Sequence, residues 1–126
     1  MTTELDTAAP AATPETRPAP VEVTSPIRPS EAIRLGCLTT APHQGEFFDG
    51  KGAACALGAM AVGYGYSGPQ HGGYTPDAYR IVTEALPARL PLRNGNMSDG
   101  IDAVWVRNDS GWSRERIADW LESLGL

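Results

Sequence analysis

The sequence predicts an all-α fold: a compact bundle of about five short helices joined by Gly-rich loops, with room for one short strand pair. Three observations carry this reading. The C-terminal stretch GWSRERIADWLESLGL repeats apolar residues at helical spacing between clear start and stop signals. The stretch YTPDAYRIVTEALP does the same between Thr75 and Pro87. Third, AACALGAMAVGYG consists almost wholly of small and apolar residues, the composition of a helix that its neighbours approach closely.

The chain has 126 residues, enough for one small domain. Its first part stands apart. TAAPAATPETRPAPVEVTSPIRP holds Pro10, Pro14, Pro18, Pro20, Pro26 and Pro29, more than half of the 11 prolines, and no apolar period. Such a segment cannot bury enough surface to offset the ~1–2 kcal/mol per residue of backbone ordering entropy. The division expected is a disordered, partly polyproline-II tail over 1–29 and a small helical domain over 30–126. The tail lacks the basic start and apolar core of a signal peptide, and Glu4, Asp6, Glu15 and Glu22 are foreign to a mitochondrial presequence. No stretch approaches the ~20 apolar residues of a membrane span. A cytoplasmic protein with no membrane association is expected.

RPSEAIRLGCL opens the fold, with Ser30 as N-cap and Ile33 and Leu38 buried. AACALGAMAVGYG follows as the central, most buried helix, with Leu57, Met60 and Ala61 on one side. In the next helix Thr75 caps, Pro76 sits at the first position where its missing N–H costs nothing, and Asp77 follows. Tyr79, Val82 and Leu86 form its face and Pro87 stops it. NMSDGIDAVWVRND reads as a helix capped by Ser98, with Asp99 and Asp102 in its first turn and Ile101, Val104 and Trp105 on its face. The alternation of Val104 and Val106 also fits a strand; the helical reading is preferred. NDSG then turns the chain into the last helix, completing a helical hairpin. There Ile117, Trp120, Leu121 and Leu124 form one face and Ser113 is the N-cap, with Trp112 and Ile117 as a hydrophobic staple. Gly125 suits the left-handed C′ position, letting Leu126 fold back.

The net charge is −5 and the isoelectric point about 4.9, which disfavours broad binding to phosphate backbones. Lys51 is the only lysine. The last helix has the S-x-x-x-I-A-x-x-L pattern of a first helix in a helix-turn-helix, but no recognition helix follows it in this sequence. Arg107, Arg114 and Arg116 are diluted by Asp109, Glu115 and Asp119, the composition of a solvated face. No nucleic-acid partner is expected.

GEFFDGKG aligns Gly45, Gly50 and Lys51 with the phosphate-binding P-loop, but Gly52 replaces the hydroxyl residue that holds Mg²⁺. Phe47, Phe48, Glu46 and Asp49 would place bulk and negative charge where phosphates should lie. The match is a coincidence of glycines, and no cofactor is expected. Cys55 follows this loop near a predicted helix start, where the dipole and Lys51 would favour a thiolate. With His43 or His71 as base it is the candidate nucleophile of a cysteine-dependent hydrolase or transferase. The competing reading is a packed thiol among Ala54, Ala56 and Gly58. Cys37, His43, Cys55 and His71 supply zinc-type ligands, but their spacing lacks the tight pairs of structural sites. A metal-stabilised module is the remaining alternative.

CALGAMAVGYG at 55–65 and WVRNDSGWSRERIADWLESLG at 105–125 together resemble a group of uncharacterised small helical proteins of bacteria and their phages, a domain of unknown function. That group pairs a C-A-L-G-A helix start with an L-N-D-x-x-G-W-S-R-E-x-I-A-D-W-L-E end. The likeness covers about Arg28 to Leu126. Arg107 departs from it, standing where leucine is usual and placing a charge on the hairpin. The resemblance implies an α-helical fold and supplies no activity, cofactor or catalytic residue.

The leading expectation is a small non-enzymatic module that binds a protein partner through an aromatic surface of Phe47, Phe48, Tyr64, Tyr66 and Tyr74, which crowd the loops around the central helix. A phage or mobile-element origin would make that partner a host protein. The alternative is that these rings roof a thin core.

Overall fold

The computed structural model describes residues 27–68, 72, 73 and 75–126. The rest of the expected tail, His71 and Tyr74 lie outside the described residues. Five helices appear among the latter: α1 Pro29–Cys37, α2 Ala56–Gly63, α3 Pro76–Ala85, α4 Gly100–Asp109 and α5 Arg114–Ser123. Two short strand pairs accompany them rather than one. β1 Ala41–Pro42 runs parallel to β2 Ala53–Ala54, and β3 Arg89–Pro91 pairs antiparallel with β4 Met97–Asp99.

α2 is the centre, as its composition predicts. Every residue from Ala56 to Ala61 is buried. Two glycines let α1 lie against it: a Cβ on Gly36 would overlap the Ala59 carbonyl, and one on Gly63 would overlap that of Ala32. The pair is reciprocal, one glycine on each helix meeting backbone of the other. Gly58 is pressed in the same way against the Phe47 carbonyl.

α1 begins two residues earlier than its sequence suggests. Arg28 holds the N-cap position, its N–H donating to Glu31 Oε1 at 2.8 Å, and Ser30 is buried inside the first turn instead of capping it. The inward face is Ala32, Ile33 and Gly36. Leu38, expected in the core, sits just past the helix on the opposite side and is 79 % exposed; Leu35 beside it is 47 % exposed. On α3 the Thr75 hydroxyl accepts the Ala78 N–H at 3.3 Å, and Ala78, Val82 and Leu86 face inward. Tyr79 is half exposed, although its ring stacks on Phe47 with centroids 6.4 Å apart.

β4, the second strand of the β3–β4 hairpin, occupies the stretch that reads as the start of a helix. Leu90 pairs with Ser98, so Ser98 belongs to a strand and Asp99 takes the N-cap position of α4. Three-residue strands are too short to show an alternation. α4 itself is a helix through Val104 and Val106, with Val104 buried and Val106 exposed.

α5 follows its signals closely. Ser113 Oγ accepts the Arg116 N–H at 3.0 Å. Gly125 takes φ 83°, the Leu126 N–H donates to the Leu121 carbonyl at 3.0 Å and the Gly125 N–H to that of Glu122 at 2.9 Å, a complete Schellman motif. The buried face is Arg114, Ile117, Ala118 and Leu121, with Trp120 half-buried and Leu124 exposed. Cations and rings alternate along the α4–α5 hairpin. The Arg116 guanidinium lies 3.7 Å from the Trp112 ring centroid, and that of Arg107 lies 5.3 Å from Trp112 and 3.6 Å from Trp120. No helix of the described residues is long and apolar enough to cross a membrane.

Candidate functional site

Of the described aromatic residues expected to form a contact surface, Phe47 and Phe48 are inside and Tyr64 and Tyr66 are half-buried. Phe47 and Phe48 are fully buried, so they present no surface to a partner in this structure. Backbone bonds fix them: the Phe47 carbonyl accepts the Cys55 N–H at 3.0 Å and that of Phe48 the Gly73 N–H at 2.8 Å. Their rings meet edge to face at 6.3 Å, Trp105 approaches Phe47 at 6.5 Å, and Tyr66 stacks on Phe48 at 5.3 Å. These rings roof the core. Tyr64 is half-buried and donates its hydroxyl to the Ile27 carbonyl at 3.0 Å.

Cys55 does occupy the N-cap position of α2, as its sequence context suggests, yet it is 1 % exposed. Burial pushes its thiol up to about 11, outweighing the Gly58 and Leu57 amides that favour the thiolate. That is the opposite of an activated nucleophile. Lys51 is exposed on the loop, and Cys37 is half-buried, its thiol also raised by burial against the pull of Arg114. Among the described residues no three His, Cys, Asp or Glu side chains cluster to hold a metal ion.

The near P-loop is filled by its own carboxylate. Asp49 Oδ1 accepts the N–H groups of Lys51 at 2.7 Å and Ala53 at 2.9 Å, and these bonds hold its carboxyl below the usual range. Two amides at the end of this loop are thus already bound to a carboxylate of the chain itself.

The arrangement that sequence reasoning missed lies where α4 meets α5. Arg107 and Arg114, read as parts of a solvated face, are 4 % and 6 % exposed; of the three arginines only Arg116 is exposed. Arg107 Nη1 donates to the carbonyls of Pro91 at 2.8 Å and Ala103 at 3.1 Å; burial and the neighbouring Arg93 charge lower its pKa. Arg114 reaches across the fold, Nη1 donating to Thr40 Oγ1 at 2.7 Å and Nη2 to the Thr40 carbonyl at 2.9 Å. Asn108, between them in sequence, is buried as well. Its Oδ1 accepts the Ala56 N–H at 3.0 Å, its Nδ2 donates to the His43 carbonyl at 3.3 Å, and its carbonyl accepts Gln44 Nε2 at 3.0 Å. Asp109 Oδ1 accepts the Gly45 N–H at 3.2 Å.

A groove of about 490 Å³ opens here, its walls including His43, Gln44, Asn108, Trp112, Arg114 and Glu115. His43, a candidate base from the sequence, is therefore brought to Arg114 and Trp112. One signal for Arg114 was available: it stands three, four and seven residues before Ile117, Ala118 and Leu121, on their face of the helix.

No family model, curated protein or solved structure matches this chain. Its own geometry is what speaks to function. The two stretches that carry the resemblance touch, Asn108 of the second capping Ala56 of the first, so their residues build the scaffold.

Proposed function

We propose that the protein is a small, non-enzymatic helical module that binds a partner protein through the apolar surface of α1 and α3 around Ile27. The exposure of Leu38 and Leu35 carries this reading, because large aliphatic side chains left clustered on a small domain mark a contact surface. Ile27 lies between two shallow grooves. One, of about 500 Å³, is walled by Leu35 and Leu38; the other, of about 400 Å³, by Tyr64, Ile81 and Ala85. The occupant we assign is an amphipathic helix of another protein, whose neighbouring apolar side chains would fill both grooves. Tyr64 is thus the one aromatic residue retained from the sequence-based surface. The resemblance to bacterial and phage proteins supports the helical scaffold, and a phage or mobile-element origin would make the partner a host protein. Cysteine chemistry at Cys55 is the weaker alternative, since its thiol would first have to be uncovered and acidified.

The test compares wild type with Leu38→Glu. Partners captured by cross-linking are purified, and their affinity for both forms is measured. The proposal expects at least a tenfold loss in the variant with thermal stability unchanged, because Leu38 contributes little to the core. Equal affinity of both forms would overturn it. So would a failure of wild type to capture any partner, or a wild-type dimer that the substitution dissociates.

A further inference from the structure

We infer that the groove at the start of α5 binds a small oxyanion, a carboxylate or phosphate group, on the free edge of the Arg114 guanidinium. A guanidinium carries five N–H donors in a rigid fork. Arg114 engages three: Nη1 with Thr40 Oγ1 at 2.7 Å and the Ala54 carbonyl at 3.4 Å, and Nη2 with the Thr40 carbonyl at 2.9 Å. The second Nη2 proton and the Nε proton remain, and Nε has no hydrogen-bond partner although it is buried. Nε and Nη2 share one edge of the planar group, the edge that takes two oxygens of a carboxylate or phosphate in parallel.

The charge is unanswered as well. Every partner of Arg114 among the described residues is a neutral oxygen, and the ion pairs found among them involve only Arg34 and Arg80. A buried cation without a counter-charge is costly, and an oxyanion at this edge supplies both the missing bonds and the missing charge. Two further features converge on the same groove. His43 lines it, and its Nε2 is likewise buried without a partner. The first turn of α5 lines it through Ser113, Arg114 and Glu115, bringing the positive end of a ten-residue helix. Glu115 opposes these groups and limits the groove to weak binding in isolation. A carboxylate on a partner protein and a phosphate group share this chemistry. None of the groove's lining residues belongs to the surface around Ile27, so this site stands or falls separately.

The experiment is a titration of the ¹⁵N-labelled full chain with sodium phosphate and, separately, sodium acetate, at ionic strength held constant with chloride. The Arg114 Nε–H and Trp112 indole signals are followed. A saturable shift with a dissociation constant in the millimolar range, about 4 kcal/mol, is expected. Glu115→Gln should tighten it about threefold or more by removing a like charge, and Arg114→Lys, which keeps the charge but loses the fork, should weaken it at least tenfold. The stronger of the two anions names the source. If Arg114→Lys does not fold, Glu115→Gln and His43→Gln carry the test, the latter expected to weaken binding. Signals unmoved by either anion would overturn the site, as for a buried water bridging His43 and Arg114. An equal shift with chloride alone, or no tightening in Glu115→Gln, would do so too.

Discussion

Asn108 caps a helix to which it does not belong: its Oδ1 accepts the Ala56 N–H at 3.0 Å across 52 residues of sequence. Cys55 holds the N-cap position of α2 but forms no side-chain cap. The Asn108 amide also donates to the His43 carbonyl, so one buried side chain ties α4, α2 and the loop after β1 together.

Asn108→Ala should therefore destabilise the domain by about 2–3 kcal/mol, from a lost cap and buried groups left unsatisfied. Asn108→Asp keeps the acceptor at a helix N-terminus and should lose less. Urea unfolding of both variants decides; equal losses would show that the His43 contact, not the cap, dominates.

Gly36→Ala and Gly63→Ala each drive a methyl group into backbone of the facing helix. Alanine gains ~1 kcal/mol in helix propensity, but overpacking against immovable carbonyls outweighs it, for a net loss of about 2 kcal/mol or more. Thermal unfolding should show a midpoint lower by on the order of 10 °C. A rise would mean that α1 and α2 separate without cost.

Cys55 makes the fold sensitive to alkali. Its thiol is raised from the ordinary 9.0 to about 11, so between these values the unfolded chain releases a proton that the folded one keeps. Stability from this group is whole below pH 9 and falls by about 2–3 kcal/mol as pH rises to 11. Tyr64, raised to about 12 chiefly by burial and further by Glu31, acts in the same direction at higher pH. Cys55→Ala should flatten the decline in urea titrations across pH 9–11. Native alkylation at pH 8 should label Cys37 first and Cys55 only with denaturant.

Arg107 is buried between Trp112 and Trp120 with carbonyl partners only, among the described residues. Arg107→Lys keeps the charge but loses the planar stack, and its more strongly hydrated ammonium should cost about 1–3 kcal/mol. Arg107→Leu removes the buried charge and should stay within about 1 kcal/mol of wild type. Chemical denaturation in which leucine costs more than lysine would assign the stability to the charge itself.

Several helix ends in this protein are local matters. Ser113, Thr75 with Pro76, and Gly125 could be read directly, because a cap or a left-handed turn depends on residues a few positions apart. The small-residue stretch likewise announced α2 as the centre, since glycine is what lets backbones touch. The candidate site was legible only in part: His43 reads as a candidate base, whereas Arg114 reads as part of a solvated face, Trp112 as a helix staple and Asn108 as part of a turn. Which side of α1 is covered, and so why Leu38 is exposed, depends on where α2 lies. The burial of Arg107 and Arg114 depends on carbonyls of Pro91, Thr40 and Ala54, supplied by segments distant in the sequence. An arginine reads as solvated until something opposite it offers oxygens, and that is settled by packing rather than by neighbours in the chain. Local propensities thus determined that five helices form; long-range contacts decided where α1 and α4 begin, which polar groups went inside and where the groove opened.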